Sequence, residues 1–134
     1  MSLVGFEHAG LTVADLDRTI DFYCGLLGLT LILRKPQETG ELAFLDTGSG
    51  MLEIFCRPRA ARASDVADGV SGVRHLTFAF DDVDAMVAKL AEAGVDIIEQ
   101  PRAAHNRELI ARVAFCRDPD GMQVELIERA ASRR

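Results

Sequence analysis

What this 134-residue chain lacks narrows what it does. No apolar run approaches the ~20 residues that a helix needs to cross a bilayer. The N-terminus carries no signal-peptide pattern of charged, apolar and small-residue segments. A cytoplasmic protein without a membrane partner is the expectation. Positive charge is scarce: 15 Lys and Arg face 21 Asp and Glu, for a net charge of −6. That balance argues against nucleic acid or an anionic lipid surface as the main partner. Arginines cluster locally at Arg57, Arg59 and Arg62, which reads as a solvated loop, with an anion site as the other reading. Cysteine is limited to Cys24, Cys56 and Cys116, odd in number, widely spaced and set in apolar segments. They read as reduced core thiols, with neither a disulfide framework nor a CxxC metal knuckle. A glycine-rich phosphate loop is missing too, because "TGSGM" lacks the Lys-Ser/Thr that would follow. No Ser-His-Asp order and no reactive-cysteine context stands out.

What is present is an ordinary globular composition, 49% apolar and 27% charged, of a length suited to one domain with a real core. Within it one pattern occurs twice. "HAGLTVADLDRTIDFYCGLLGLTLI" begins at His8 and "HLTFAFDDVDAMVAKLAEAGVDII" at His75, 67 positions on (75 − 8). In each, a histidine opens an alternating strand, and Asp15 or Asp82 follows where a helix N-cap belongs. Ile20, Tyr23 and Leu27 are spaced as one apolar helix face, as are Val83, Met86, Val87 and Leu90. Gly28 and Gly94 fit the left-handed residue that ends a helix. The second halves also match: "LAFLDTGSGMLEIF" (42–55) and "VAFCRDPDGMQVELI" (113–127) each read strand, tight turn, strand.

Each copy therefore reads β-α-β-β-β. The expected fold class is α+β: two tandem βαβββ modules forming a curled mixed sheet. Module one runs over 4–57, a linker rich in Arg, Ala, Ser, Asp and Gly over 58–72, and module two over 73–129, within a single domain.

Side chains alternate across a strand, so parity assigns each residue to a face. Leu11 and Val13 share the helix-facing side of the first strand, with His8 opposite. In the strand expected at 73–80, Leu76, Phe78 and Phe80 face the helix and His75 does not. Leu52 and Ile54 place Glu53 on the other face, and Val124 and Leu126 do the same for Glu125. His8, Glu53, His75 and Glu125 thus occupy the face away from the helices, at matched places in the two copies.

Two imidazoles and two carboxylates make a complete ligand set for a divalent transition metal, with water or substrate filling the remaining positions. Taken singly, each has a blander reading: a strand histidine is more often hydrogen-bonded core or surface, and a strand glutamate more often faces solvent. Their joint occurrence on one face at repeat-equivalent positions favours ligands. A cation would also explain Glu53, a carboxylate inside the apolar run "GMLEIFCRP" with no basic neighbour. His105, in the polar stretch "RAAHNREL", reads as a solvated loop histidine. Glu7 and Glu128 lie at strand ends or toward the helix.

These stretches, covering almost the whole chain, resemble the vicinal oxygen chelate superfamily and, within it, the glyoxalase I (lactoylglutathione lyase) type. The resemblance implies two βαβββ modules curled around a metal, with His8, Glu53, His75 and Glu125 as its ligands. It implies Ni²⁺, Zn²⁺ or Co²⁺, with Fe²⁺ or Mn²⁺ as alternatives, and a homodimer whose sites are shared between module one of one chain and module two of its partner. Ring-cleaving dioxygenases and thiol transferases of this superfamily typically lack the ligand that Glu53 would supply, whereas glyoxalase I and methylmalonyl-CoA epimerase keep all four. Both move a proton between carbons beside a carbonyl through an enediolate, with Glu125 implied as the base and Glu53 as a second carboxylate on the opposite face. Bacterial glyoxalase I proteins usually carry arginine and asparagine where this chain has Thr12 and Arg57, and use them to contact glutathione. Thr12 and Arg57 are thus the candidate substrate-binding residues, for a small-molecule substrate such as a glutathione adduct. Epimerisation, extradiol cleavage or thiol addition on the same scaffold, and antibiotic sequestration without catalysis, are the alternative functions.

Overall fold

The computed structural model describes all 134 residues, which divide into two compact units, Met1–Ala61 and Arg62–Arg134. Each unit is a four-stranded mixed sheet with one helical segment. The first holds β1 (His8–Val13), β2 (Thr30–Gln37), β3 (Gly40–Asp46) and β4 (Met51–Cys56), in the order β1-β4-β3-β2. The second holds β5 (Leu76–Ala79), β6 (Ile97–Ala103), β7 (Ile110–Arg117) and β8 (Gln123–Arg129), in the order β5-β8-β7-β6. In each, the first strand lies parallel to the last, and the other pairs are antiparallel. The α+β class and the duplicated β-α-β-β-β order are those expected from the sequence.

The helical segments begin as their caps dictate. Asp15 accepts the backbone N–H of Arg18 at 3.0 Å, starting α1 (Leu16–Ile20), and Asp82 accepts that of Ala85 at 2.8 Å, starting α2 (Val83–Glu92). Such a cap contributes about 1 kcal/mol. Gly28 (φ 95°) and Gly94 (φ 82°) leave the helical ends in the left-handed conformation that favours glycine.

The first helix departs from the expected regular spiral. After Ile20 it widens into a π-helical segment, Asp21–Leu26, where the N–H of Leu27 reaches the carbonyl of Phe22, five residues back, at 3.0 Å. A wider turn lets consecutive residues face inward. Phe22 and Tyr23 are both buried, their rings edge to face at 4.8 Å, while Ile20 is only half-buried. The inward face is therefore Leu16, Thr19, Phe22, Tyr23 and Leu27. In α2 the expected face holds: Val83, Val87 and Leu90 are buried and Met86 half-buried.

Alternation along the strands fixes the cores. Leu52, Ile54 and Cys56 of β4 are buried, as are Val124 and Leu126 of β8, and the residues between them are half-exposed. Ile54 and Leu126 are fully enclosed, each worth roughly 1.5–3 kcal/mol of transfer free energy. The strand expected at 73–80 is shorter. β5 covers only Leu76–Ala79, and Val73 and Arg74 run exposed ahead of it. His75 therefore sits just before the strand instead of within it.

Both prolines found within strands lie on sheet edges, Pro36 in β2 and Pro101 in β6, where a missing N–H donor is tolerated. β2 is an exposed edge despite Leu31, Ile32 and Leu33, and its pairing slips between Leu31 and Leu33.

The connecting stretch is held against the second unit. Arg62 Nη1 donates to the carbonyl of Pro119 at 3.2 Å, and Ala63 N–H to that of Asp120 at 2.9 Å. Arg117 grips both carboxylate oxygens of Asp65 at 2.9 Å. The Arg117 guanidinium, and then Gln123, hold the Asp65 carboxyl down at about 2, well below its ordinary 3.8. No helix is long and apolar enough to cross a membrane.

Candidate functional site

In the first unit, strand register brings the expected pair together. β1 runs beside β4 with Gly10 opposite Glu53, and β3 beside β4 with Phe44 opposite Glu53. His8 and Gly10 share a face with Glu53. His8 Nε2 lies 3.6 Å from Glu53 Oε1, and its Nδ1 lies 3.6 Å from Glu7 Oε1. Neither separation is a hydrogen bond. The imidazole also meets the ring of Phe44 edge to face, with centroids 5.7 Å apart and planes at 83°.

The second unit repeats the arrangement. β5 and β8 set Thr77 opposite Glu125, and β7 and β8 set Phe115 opposite Glu125. His75 meets Phe115 edge to face at 5.4 Å and the same 83°. One contact differs. His75 Nδ1 lies 2.9 Å from Thr77 Oγ1, and that hydroxyl donates to Glu125 Oε1 at 3.1 Å. Thr77 stands where the first unit has Gly10 (77 − 67), so only the second histidine has a hydroxyl between it and its carboxylate.

Whether these residues suit a metal can be tested on distances within a unit. Two donor atoms each ~2.1 Å from one ion, at tetrahedral to octahedral angles, lie roughly 3.0–3.4 Å apart. The 3.6 Å between His8 Nε2 and Glu53 Oε1 is close to that spacing and too long for a direct hydrogen bond. Glu53 keeps only a quarter of its side chain exposed and faces this imidazole. A half-buried carboxylate facing a ring nitrogen across a gap of that size fits a shared cation.

The substrate candidates lie further along the same face of the first unit. Thr12 is exposed and paired in register with Phe55, two residues or roughly 7 Å along the strands from the Gly10–Glu53 pair. Arg57 folds back over the Phe55 ring, its guanidinium carbon 5.9 Å from the ring centroid, and donates to Gln37 Oε1 at 3.2 Å and to the carbonyl of Cys56 at 3.0 Å. Aromatic stacking and a hydrogen bond hold a positive charge there. Arg62 belongs with the second unit and has no part in this arrangement.

Other chemistry-bearing groups have structural employment. The carboxylates of Asp82, Asp84 and Glu128 crowd within 4.8 Å of one another at the start of α2. Asp82 caps that helix, Asp84 forms a two-pronged pair with Arg112, and Glu128 Oε2 accepts the N–H of Val83 at 2.9 Å. Burial pushes the Cys116 thiol up to about 12 and raises that of Cys24, which leaves both as poor nucleophiles. His105 is exposed in its loop, as expected. Reading the sequence did not single out Phe44, Phe115 or Thr77. The two phenylalanines are legible in retrospect, since "LAFLD" and "VAFCR" align them, whereas nothing in the repeat marks Thr77.

A family model described as Glyoxalase/Bleomycin resistance protein/Dioxygenase superfamily matches residues 5–126. A "Probable lactoylglutathione lyase" from Synechocystis is 27% identical over 128 residues, covering 94% of this chain and 96% of that protein. A "Probable lactoylglutathione lyase, chloroplastic" from Arabidopsis thaliana is 32% identical over 124 residues, 91% of this chain. The chain spans only 35% of that plant protein's length. Among solved structures, a glyoxalase family protein from Enterococcus faecalis superposes with a TM-score of 0.76 at 28% identity, covering 96% of this chain and all of that one.

Proposed function

We propose, for a chain that belongs to the glyoxalase/bleomycin resistance protein/dioxygenase superfamily, that it is a divalent-metal-dependent lyase or isomerase of the glyoxalase I type. Its substrate is a small 2-oxo compound or the thiol adduct of one, such as the glutathione hemithioacetal of methylglyoxal. The observation that carries this reading is duplicated: in both units a glutamate stands opposite a phenylalanine in strand register, and the unit's histidine ring meets that phenylalanine edge to face. Lactoylglutathione lyase names among relatives at 27–32% identity support it.

His8, Glu53, His75 and Glu125 are the proposed metal ligands, in a homodimer that shares its sites between module one of one chain and module two of the other. The ion, Ni²⁺, Zn²⁺ or Co²⁺ before Fe²⁺ or Mn²⁺, would supply Lewis acidity toward the substrate's oxygens. The chain's own residues do the rest. Glu125 takes the proton from the carbon beside the carbonyl and returns it to the neighbouring carbon. Glu53 offers a second carboxylate on the opposite side of the substrate. Arg57, already held on Phe55, binds an anionic arm, and Thr12 offers a hydroxyl beside it.

Incubation with methylglyoxal and glutathione, with and without added Ni²⁺, tests this. Thioester formation that depends on the metal is expected. Silence under every ion named would overturn the lactoylglutathione assignment. Thr12 and Arg57, in place of the usual glutathione contacts, favour one second reading: the same proton transfer on an anionic acyl thioester, as an epimerase performs. Oxygen uptake with Fe²⁺ would mark a dioxygenase instead, and failure to take up any divalent ion a small-molecule binding protein.

A further inference from the structure

We infer that Thr77 is a positioning residue that fixes which nitrogen of His75 carries the proton. A threonine hydroxyl has one hydrogen to give, and a carboxylate oxygen has none. The hydrogen of Thr77 goes to Glu125 Oε1, 3.1 Å away. The hydroxyl then faces His75 Nδ1, 2.9 Å away, with a lone pair. The ring must therefore place a hydrogen on Nδ1, and Nε2 is left with the free pair that a metal requires. Phe115 completes the arrangement by holding the ring plane edge-on at 5.4 Å. One hydroxyl thus orients two of the proposed ligands at once.

The first unit shows that strand geometry alone does not supply this. Gly10 occupies the position of Thr77, and His8 has a glutamate 3.6 Å from each ring nitrogen with no hydrogen bond at either. Its tautomer is left to the ion and its carboxylates. Thr77 is exposed on a strand, so replacing it with the similarly shaped and β-favouring valine leaves the fold intact.

The inference rests on the metal-site reading for its consequence but not for its test. In the metal-free protein, long-range ¹H–¹⁵N correlation spectra should show His75 protonated on Nδ1, with that preference lost in Thr77→Val and regained in Thr77→Ser. Zn²⁺ affinity, measured by competition with a chromogenic chelator, should fall about 10–100-fold in Thr77→Val, the usual cost of losing such a partner. Thr77→Ser should restore it. A His75 ring protonated only on Nε2 in the unaltered protein would overturn the inference, as would a Thr77→Val protein with unchanged affinity and tautomer. If His75→Ala leaves Zn²⁺ uptake unchanged, the metal-site reading fails, and the ring spectra still decide the role of Thr77.

Discussion

The two modules are the same scaffold with different machinery mounted on it. In both, a strand order of first-last-third-second places a glutamate opposite a phenylalanine, with the module's histidine ring against that phenylalanine. What differs is how the histidine and glutamate address each other. The first pair faces across 3.6 Å with nothing between, and the second is joined through a hydroxyl. The contrast recurs one turn away. Arg117 in β7 reaches out to hold Asp65, whereas its counterpart Asp46 in β3 accepts only the N–H of Gly48, two residues on, at 3.0 Å. Backbone register is thus the shared property, and the residues that touch the site-bearing side chains are free to diverge.

The largest expected effect comes from setting the two glutamates against each other. Glu125→Gln should lower kcat by about 10²–10⁴-fold while metal content is largely kept, as loss of a general base does. Glu53→Gln should lower turnover less and loosen the ion more. Steady-state kinetics with metal analysis on both variants checks this, and equal losses would erase the division of labour. A smaller effect should follow from making the modules alike. At Gly10 an added Cβ would meet Phe55 Cε2 at 3.6 Å, an ordinary contact, and the backbone is not left-handed. Gly10→Thr should therefore fold and give His8 a hydroxyl. One added hydrogen bond is worth about 1 kcal/mol, or roughly fivefold tighter Zn²⁺ binding by chelator competition. Weaker binding would mean that the bare glycine is itself required.

The smallest effect concerns the connector. Because Asp65 titrates lower in the folded chain than its ordinary 3.8, its contribution is complete above that value and is lost as pH falls toward about 2. Protection of the Ala63 amide, taken against its intrinsic exchange rate at each pH, should fall across that window and leave the first module unchanged. Asp65→Asn should show the faster exchange already at neutral pH. Exchange in that variant identical to the parent would show that the Arg62 and Ala63 bonds suffice.

Much of this was legible in the residues because strands obey a two-residue period. Parity alone put His8, Glu53 and Glu125 on the correct face, and the repeat supplied the caps at Asp15 and Asp82 and the left-handed glycines. Register came less directly. That Glu53 would sit opposite Gly10 depends on which strands pair, and the repeat says only that both modules pair alike. Thr77 stayed hidden for a plainer reason: threonine is a common strand residue, and a hydroxyl reveals its partner only in three dimensions. The widened turn after Ile20 was equally silent, since Phe22-Tyr23 is compatible with a regular helix until both rings must be enclosed. The connector read as a loose linker because its composition is polar. Its attachment depends on Arg62, Ala63 and Asp65 meeting groups more than fifty positions away.

One edge of the first unit's sheet bears on how the protein behaves at high concentration. β2 offers the ingredients of a fibril seed: an unpaired edge carrying three consecutive branched aliphatic residues in partial contact with water. The same strand carries the protection. A slipped pairing disturbs its flatness beside those residues, Arg34 follows them locked to Asp17 and Glu41, and Lys35 and Pro36 add a charge and a missing donor. A second chain trying to zip onto this edge would lose a ladder bond at Pro36 and would have to accommodate the Lys35 charge beside the ion pairs that hold Arg34. The safeguard is therefore written into the three residues that follow Leu33, at the margin of the sheet farthest from the strand that carries His8.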